Sequence, residues 1–189
     1  MVINLHSFLK YSTENGPGIR AVLWVQGCTL ACPGCFNPDT HDMAPRTLIS
    51  VEKLTENIGQ ISGIEGITIS GGEPFLQAAA LAELGQLLRR QNLGIIVFSG
   101  FTFDQLTRAK NSEWAALLAC TDLLIAGPFI QDLTCQLPLR GSSNQTLHFL
   151  TERYTSYQEI LEIGTNGVEV LIDPSGQIVV TGFPDQDLW

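Results

Sequence analysis

Short apolar runs alternate along this chain with stretches whose apolar residues recur at helical spacing. Residues 21–26 (AVLWVQ) are almost unbroken apolar, the signature of a strand buried on both faces. Residues 67–70, 94–99 and 123–126 repeat that strand-sized signature. Three helical patterns lie between them. Ser50 stands at the N-cap of the first, which runs to about residue 61, with Glu52 in its first turn and Val51, Leu54, Ile58 and Ile61 on one face. The second covers 76–91 with Leu81, Leu84, Leu87 and Leu88 aligned, and the third covers 103–120 with an interruption near Asn111. Residues 3–11 predict an opening strand, and a polar loop over 127–145 leads to a short strand at 146–150. The pattern then changes: 168–172 and 177–181 flank Asp173-Pro174-Ser175-Gly176, which reads as a β-hairpin turn.

Strand–helix–strand alternation with short connections implies right-handed crossovers and a parallel sheet. A complete eight-unit barrel takes roughly 200–250 residues. The 189 residues here leave room for a shorter series plus an appendage. The expected fold is therefore α/β, an incomplete (β/α) barrel or open sheet with a small C-terminal β-hairpin. Residues 1–150 form the partial barrel, and 151–189 are an extension packed on the same domain.

Charge narrows the function classes. A net charge of −9 argues against nucleic acid and against an anionic membrane surface as partners. No apolar run approaches the ~20 residues that span a bilayer. No basic segment followed by an apolar stretch opens the chain. The expectation is a cytoplasmic protein with neither a nucleic-acid nor a membrane partner.

The five cysteines are odd in number and unevenly spread: Cys28, Cys32 and Cys35 share one loop, while Cys120 and Cys135 stand apart. A secreted disulfide framework uses even numbers and spreads them. The loop (GCTLACPGCFN) has the spacing C-x3-C-x2-C directly after the first buried strand. Three thiolates in one tight loop can hold three corners of a [4Fe–4S] cubane, which would leave one iron for a ligand from outside the protein. Pro33-Gly34 lets the backbone turn between two of them. The competing reading is structural zinc with His41 as fourth ligand, although C-x3-C-x2-C-x5-H is not a usual finger spacing. Cys120, at the end of an apolar helix, reads as a buried small hydrophobe, and Cys135 as a loop thiol. His6, His41 and His148 are isolated. Arg20 and Arg140 read either as carboxylate ligands or as solvated surface residues, and Trp24 and Trp114 as core.

The three-cysteine loop resembles that of radical S-adenosylmethionine (SAM) enzymes. Gly34 just before the last cysteine and Phe36 just after it are similar to the activating proteins of glycyl-radical enzymes, most of all those of anaerobic ribonucleotide reductase. Asn15-Gly16-Pro17-Gly18-Ile19-Arg20, Ser70-Gly71-Gly72-Glu73-Pro74, Gly127-Pro128-Phe129-Ile130 and Arg140-Gly141-Ser142-Ser143-Asn144-Gln145 extend the likeness over roughly 13–150. Ala126 departs from it, standing where those proteins usually carry Asp.

The resemblance implies a partial barrel of the radical SAM type, with Cys28, Cys32 and Cys35 holding the cluster and Gly71-Gly72-Glu73 binding the SAM ammonium group. Gly34, Phe36, Ser99 and Asn144 are further candidate SAM contacts by position, and Ser142 another. No catalytic side chain beyond the cluster ligands is implied. The implied reaction is reductive cleavage of SAM to a 5′-deoxyadenosyl radical that makes a glycyl radical on a partner enzyme, with flavodoxin or ferredoxin as electron donor. The alternative is a radical SAM enzyme acting on a small molecule, resembling 7-carboxy-7-deazaguanine synthase. One layout test is independent of the likeness. In open α/β sheets and barrels the active site sits at the carboxyl ends of the parallel strands. The cysteine loop, Gly71–Glu73, Ser99-Gly100 and Gly127 each follow one of the four predicted strands.

Overall fold

The computed structural model describes residues 1–172, 175–176 and 178–183. Asp173 and Pro174 of the expected hairpin turn, Gln177 at the start of its expected second strand, and 184–189 of the expected extension lie outside the described residues. The chain runs β1 (Val2–Ser12), β2 (Arg20–Val25), β3 (Thr47–Ser50), α1 (Val51–Gly59), β4 (Gly66–Gly71), α2 (Ala78–Arg89), β5 (Gly94–Ser99), α3 (Phe103–Arg108), α4 (Ser112–Cys120), β6 (Leu123–Ala126), β7 (Thr146–Phe149), α5 (Gln158–Ile163), β8 (Val168–Ile172) and β9 (Ile178–Gly182). Seven strands form one sheet in the order β3-β1-β2-β4-β5-β6-β7. The four strands predicted from apolar runs are its parallel centre, β2-β4-β5-β6. At the edges the sheet is mixed: β1, β3 and β7 are antiparallel to their neighbours, and the four-residue β3 has no counterpart among the expected strands.

Helix boundaries follow their caps. The Ser50 side chain accepts a hydrogen bond from the Lys53 amide and so starts α1. Asn111 caps α4 by accepting from the amides of Glu113 and Trp114, which divides the third helical region where the sequence broke. Replacing Ser50 by Ala is expected to cost about 1 kcal/mol, read as a fall of about 2–4 °C in thermal midpoint.

Alternation along the strands sorts side chains onto two faces. Leu23, Ile69, Val97 and Leu124 pack with Leu54, Leu84 and Leu117 in the layer between sheet and helices. Ala126 belongs to that layer too, so the position that departs from the family pattern looks toward the helices. On the other face Ile96, Leu123 and Ile125 meet Leu139, Tyr154 and Leu161. Tyr154 covers the end of that face where the parallel strands begin, its hydroxyl beside Gly94 and Arg20. The end where they finish is left concave.

At the covered end sits Arg20, the largest fully buried side chain. It is neither a surface residue nor a ligand for a carboxylate. Its guanidinium donates to Thr68 Oγ1 (2.9 Å), Pro17 O (3.0 Å), Tyr154 Oη (2.7 Å), Ile67 O (2.6 Å) and Gly94 O (3.1 Å). Arg140 is likewise a brace, donating to Pro138 O and Leu161 O.

Candidate active site

The carboxyl ends of β2, β4, β5 and β6 open into one cavity of about 810 Å³. Its walls include Cys28, Cys32 and Cys35 after β2, Gly71–Glu73 after β4, Ser99-Gly100 after β5 and Gly127 after β6. The four segments expected on one rim therefore meet.

The cysteine loop is held from behind. Gly27 N donates to Thr40 O (2.8 Å) and Cys28 N to His41 O (3.2 Å), so the short turn Pro38–Thr40 backs the first thiol. Cys35 N donates to Cys32 O, and the left-handed φ of Gly34 (+69°) closes the bend between those two residues. All three thiols are free and half-buried. Burial is the main cause raising the pKa of Cys28 and Cys35. Their thiolates need a nearby positive charge, which a metal supplies on binding, with release of the protons.

The Gly-Gly pair answers a constraint the sequence did not show. Gly71 lies against the Val25 backbone and Gly72 against Gly27 O, so a Cβ at either would collide with main chain. Gly72 N donates to Val25 O and Glu73 N to Gly27 O. The two glycines thus let the turn after β4 sit flush on the root of the cysteine loop. Glu73 follows, almost completely buried. Its Oε1 accepts from Phe75 N (2.9 Å) and Ser99 Oγ (3.0 Å), and its Oε2 from Gly100 N (2.8 Å). Ser99 is on the wall, with its proton committed to Glu73.

Burial pushes the Glu73 carboxyl up to about 7, despite those hydrogen bonds. A raised carboxyl favours folding while it stays neutral. Its contribution is full below about pH 4.5 and disappears as pH rises through about 7. The difference is about 3 kcal/mol. In denaturant titrations from pH 5 to 8, the wild-type metal-free protein should lose stability relative to Glu73→Gln as pH rises, with the change centred between those values.

Phe36 packs edge-on against Phe129, ring centroids 5.0 Å apart, and against Phe183 at 6.3 Å; Phe183 in turn meets Phe98 at 5.9 Å. All four rings line the cavity. Asn144 is not on the wall; its side-chain amide donates to Pro128 O (2.8 Å), its buried Oδ1 has no hydrogen-bond partner among the described residues, and Gln145 takes the wall position. Ser142 is buried and its hydroxyl accepts from Ile130 N. Trp24 is corrected from core to wall: Ala21, Leu23 and Val25 take the helix side of β2, which turns Trp24 to the concave side. Trp114 packs against the core with its indole N–H on Phe75 O. Cys120 is buried, as expected, and Cys135 stays in its loop, off the wall.

The sequence missed two further walls. His6 and Ser7 of β1 form one, and Val180, Thr181, Gly182 and Phe183 of the hairpin the other. Asn15 couples them, since its side chain donates to both Ser12 Oγ and Thr181 Oγ1.

The donor set suits a polynuclear iron–sulfur group. Soft thiolates from a single loop face a cavity that contains no further cysteine. Among the described residues no three His, Cys, Asp or Glu side chains converge on the position of a single ion. An open half-barrel with three thiols at its strand ends thus defines a cluster-binding α/β protein with room for a second ligand beside the cluster.

Comparison with known proteins gives the family. The model of the 4Fe–4S single cluster domain matches residues 14–148. The anaerobic ribonucleoside-triphosphate reductase-activating protein of Escherichia coli is 32% identical over 157 residues, covering 78% of this chain and 99% of its own length. That of Vibrio cholerae is 31% identical over 159 residues, covering 79% and 99%. The pyruvate formate-lyase-activating enzyme of Staphylococcus epidermidis is 33% identical over 148 residues, covering 75% of this chain and 59% of that enzyme. The chain belongs to the 4Fe–4S single cluster domain family, among the radical SAM activating proteins of glycyl-radical enzymes. Its cofactors are those of the family, a [4Fe–4S] cluster and SAM. Among the described residues no helix is long and apolar enough to cross a membrane.

Proposed function

We propose that this activase serves an anaerobic ribonucleotide reductase or a relative of it, with Cys28, Cys32 and Cys35 as the three protein ligands of the cluster. The observation that carries the reading is the meeting of three free thiols with the Gly71–Glu73 turn at the carboxyl ends of the parallel strands. When bound, cluster and SAM supply the one-electron cleavage of SAM and the removal of a hydrogen atom from a glycine Cα. The chain's own residues bind, orient and exclude water. Glu73 offers a buried carboxylate to the SAM ammonium, which would hold it ionised at neutral pH. Ser99 fixes the Glu73 rotamer. Gly34 and Phe36 shape the wall beside the third thiol, and Asn144 acts through the backbone at Pro128.

Residues 1–150 are taken as the radical SAM unit and 151–189 as an extension, a division supported by the family match ending at 148. The small reducing protein that delivers the electron is of the flavodoxin or ferredoxin type. A cytoplasmic, reducing compartment accords with five free cysteines.

The test is anaerobic reconstitution with iron and sulfide, followed by dithionite and SAM. 5′-Deoxyadenosine is expected. Adding purified anaerobic ribonucleotide reductase should yield a glycyl doublet by electron paramagnetic resonance. A doublet only with pyruvate formate-lyase would move the assignment to that target. Cleavage of SAM with no doublet on either protein favours a small-molecule substrate, and zinc without cluster absorbance removes the reading altogether.

A further inference from the structure

We propose that the outer face of the C-terminal hairpin is the docking surface for the target protein, taking an uncharged, apolar segment that flanks the reactive glycine. This rests on the activase reading above and names the part of the chain that would choose the target.

The β8–β9 register puts Val168, Val170, Ile172, Ile178, Val180 and Gly182 on one face. None of the six is charged, in a chain whose net charge is −9. Val170 is 57% exposed, Ile172 69% and Ile178 61%. The opposite face is anchored: Thr181 accepts from Asn15 Nδ2, and Glu169 accepts from Thr13 N. A two-stranded ribbon alone is marginal in water. This one is held from its inner side, which leaves β-branched residues bare on the outer side. Such a contiguous uncharged patch marks an interaction site.

Position says what covers it. The base of the hairpin is a cavity wall, because Val180, Thr181 and Gly182 line the site, followed by Phe183. The exposed patch adjoins that wall, since Val170 pairs with the wall residue Val180 and Ile172 with Ile178 next along β9. A folded protein that presents a glycine to the cavity must lay neighbouring chain across β9. A small substrate would enter without touching Val170 or Ile172. The hairpin also lies beyond the family match, which ends at residue 148. It is therefore placed to distinguish one target from another while the shared chemistry stays constant. Acidic segments would be repelled by the rest of the surface and would find no cation on this patch.

The experiment uses the full-length reconstituted protein and the glycyl-radical protein that gives the doublet above. Val170→Glu/Ile172→Glu is compared with Val170→Thr/Ile172→Thr, which keeps β-branched shape and removes apolar surface. Affinity for the target is measured by titration calorimetry without SAM, 5′-deoxyadenosine formation without target, and mass by sedimentation. The expected result is a loss of target affinity of about tenfold or more for the Glu pair and a smaller loss for the Thr pair. Target-free 5′-deoxyadenosine formation stays as in the wild type, which shows that both variants retain the site. Unchanged affinity in both pairs overturns the proposal. So does a wild-type dimer that the Glu pair dissociates with no loss of target affinity, since the face would then join two copies. Failure of the activase reading is distinct: no target gives a doublet with the wild type.

Discussion

A Cys32→Ala protein should fold and yet do no chemistry. Reconstituted anaerobically with iron and sulfide, it is expected to lack the cluster absorbance of the wild type and to form no 5′-deoxyadenosine with dithionite and SAM. The cysteine loop offers three thiols, and no other cysteine lines the cavity to replace the one removed. Cys120 is buried in the helix layer, and Cys135 hydrogen-bonds toward Arg140 O in its own loop. The loop does not depend on the Cys32 thiol for its shape. Its path is set by backbone bonds from Gly27, Cys28 and Cys35 and by the left-handed bend at Gly34, none of which uses that side chain. Metal-free Cys32→Ala should therefore unfold at the wild-type denaturant concentration. That separates loss of a ligand from loss of fold. Full 5′-deoxyadenosine production by this variant would remove Cys32 from the ligand set.

The chemistry was legible because it is local. C-x3-C-x2-C is a statement about one loop, and Ser-Gly-Gly-Glu-Pro about one turn. Apolar runs located the four parallel strands, and the rule that sites form at their carboxyl ends brought the pieces together. What periodicity does not contain is pairing. Residues 3–11 read as a strand, but nothing in their alternation says that β1 runs antiparallel to β2 and puts His6 and Ser7 on the cavity wall. β3 is four residues long, too short for any period to show. The hairpin was visible as two runs about a turn, yet its place on the cavity wall depends on the Asn15–Thr181 bond between distant parts of the chain. Trp24 lies on the cavity wall rather than in the expected core for a related reason. In an apolar strand the sequence cannot say which face is packed and which faces an opening. The need for glycine at 71 and 72 is only partly local, since the neighbouring backbone that excludes a Cβ belongs to another strand and loop.

Arg20 is the residue whose place in the fold its sequence context shows least, and it carries the largest expected effect on stability. An arginine in an acidic chain suggests a ligand or a surface charge. Instead its guanidinium is fully buried, and among the described residues it has no ion-pair partner. Burial lowers its pKa, while the Tyr154 hydroxyl beside it acts in the opposite direction. Five oxygens from the loop before β2, from β4, from the start of β5 and from the extension converge on one planar donor. Arg20→Met removes the charge and leaves those acceptors dry. The expected cost is about 3–5 kcal/mol, read as a fall in thermal midpoint of about 10–15 °C. Arg20→Lys should recover little of it, because one ammonium cannot reach acceptors spread around a guanidinium fork. Tyr154→Phe deletes a single acceptor and should cost about 1.5–3 kcal/mol. The loss has a functional direction. Thr68 Oγ1 accepts from Arg20 and donates to Asn15 O, and Asn15 in turn holds Thr181. Weakening Arg20 should therefore speed amide exchange in β9 before it affects β4 and β5. Equal loss of protection in all three strands would instead place Arg20 in the global core alone.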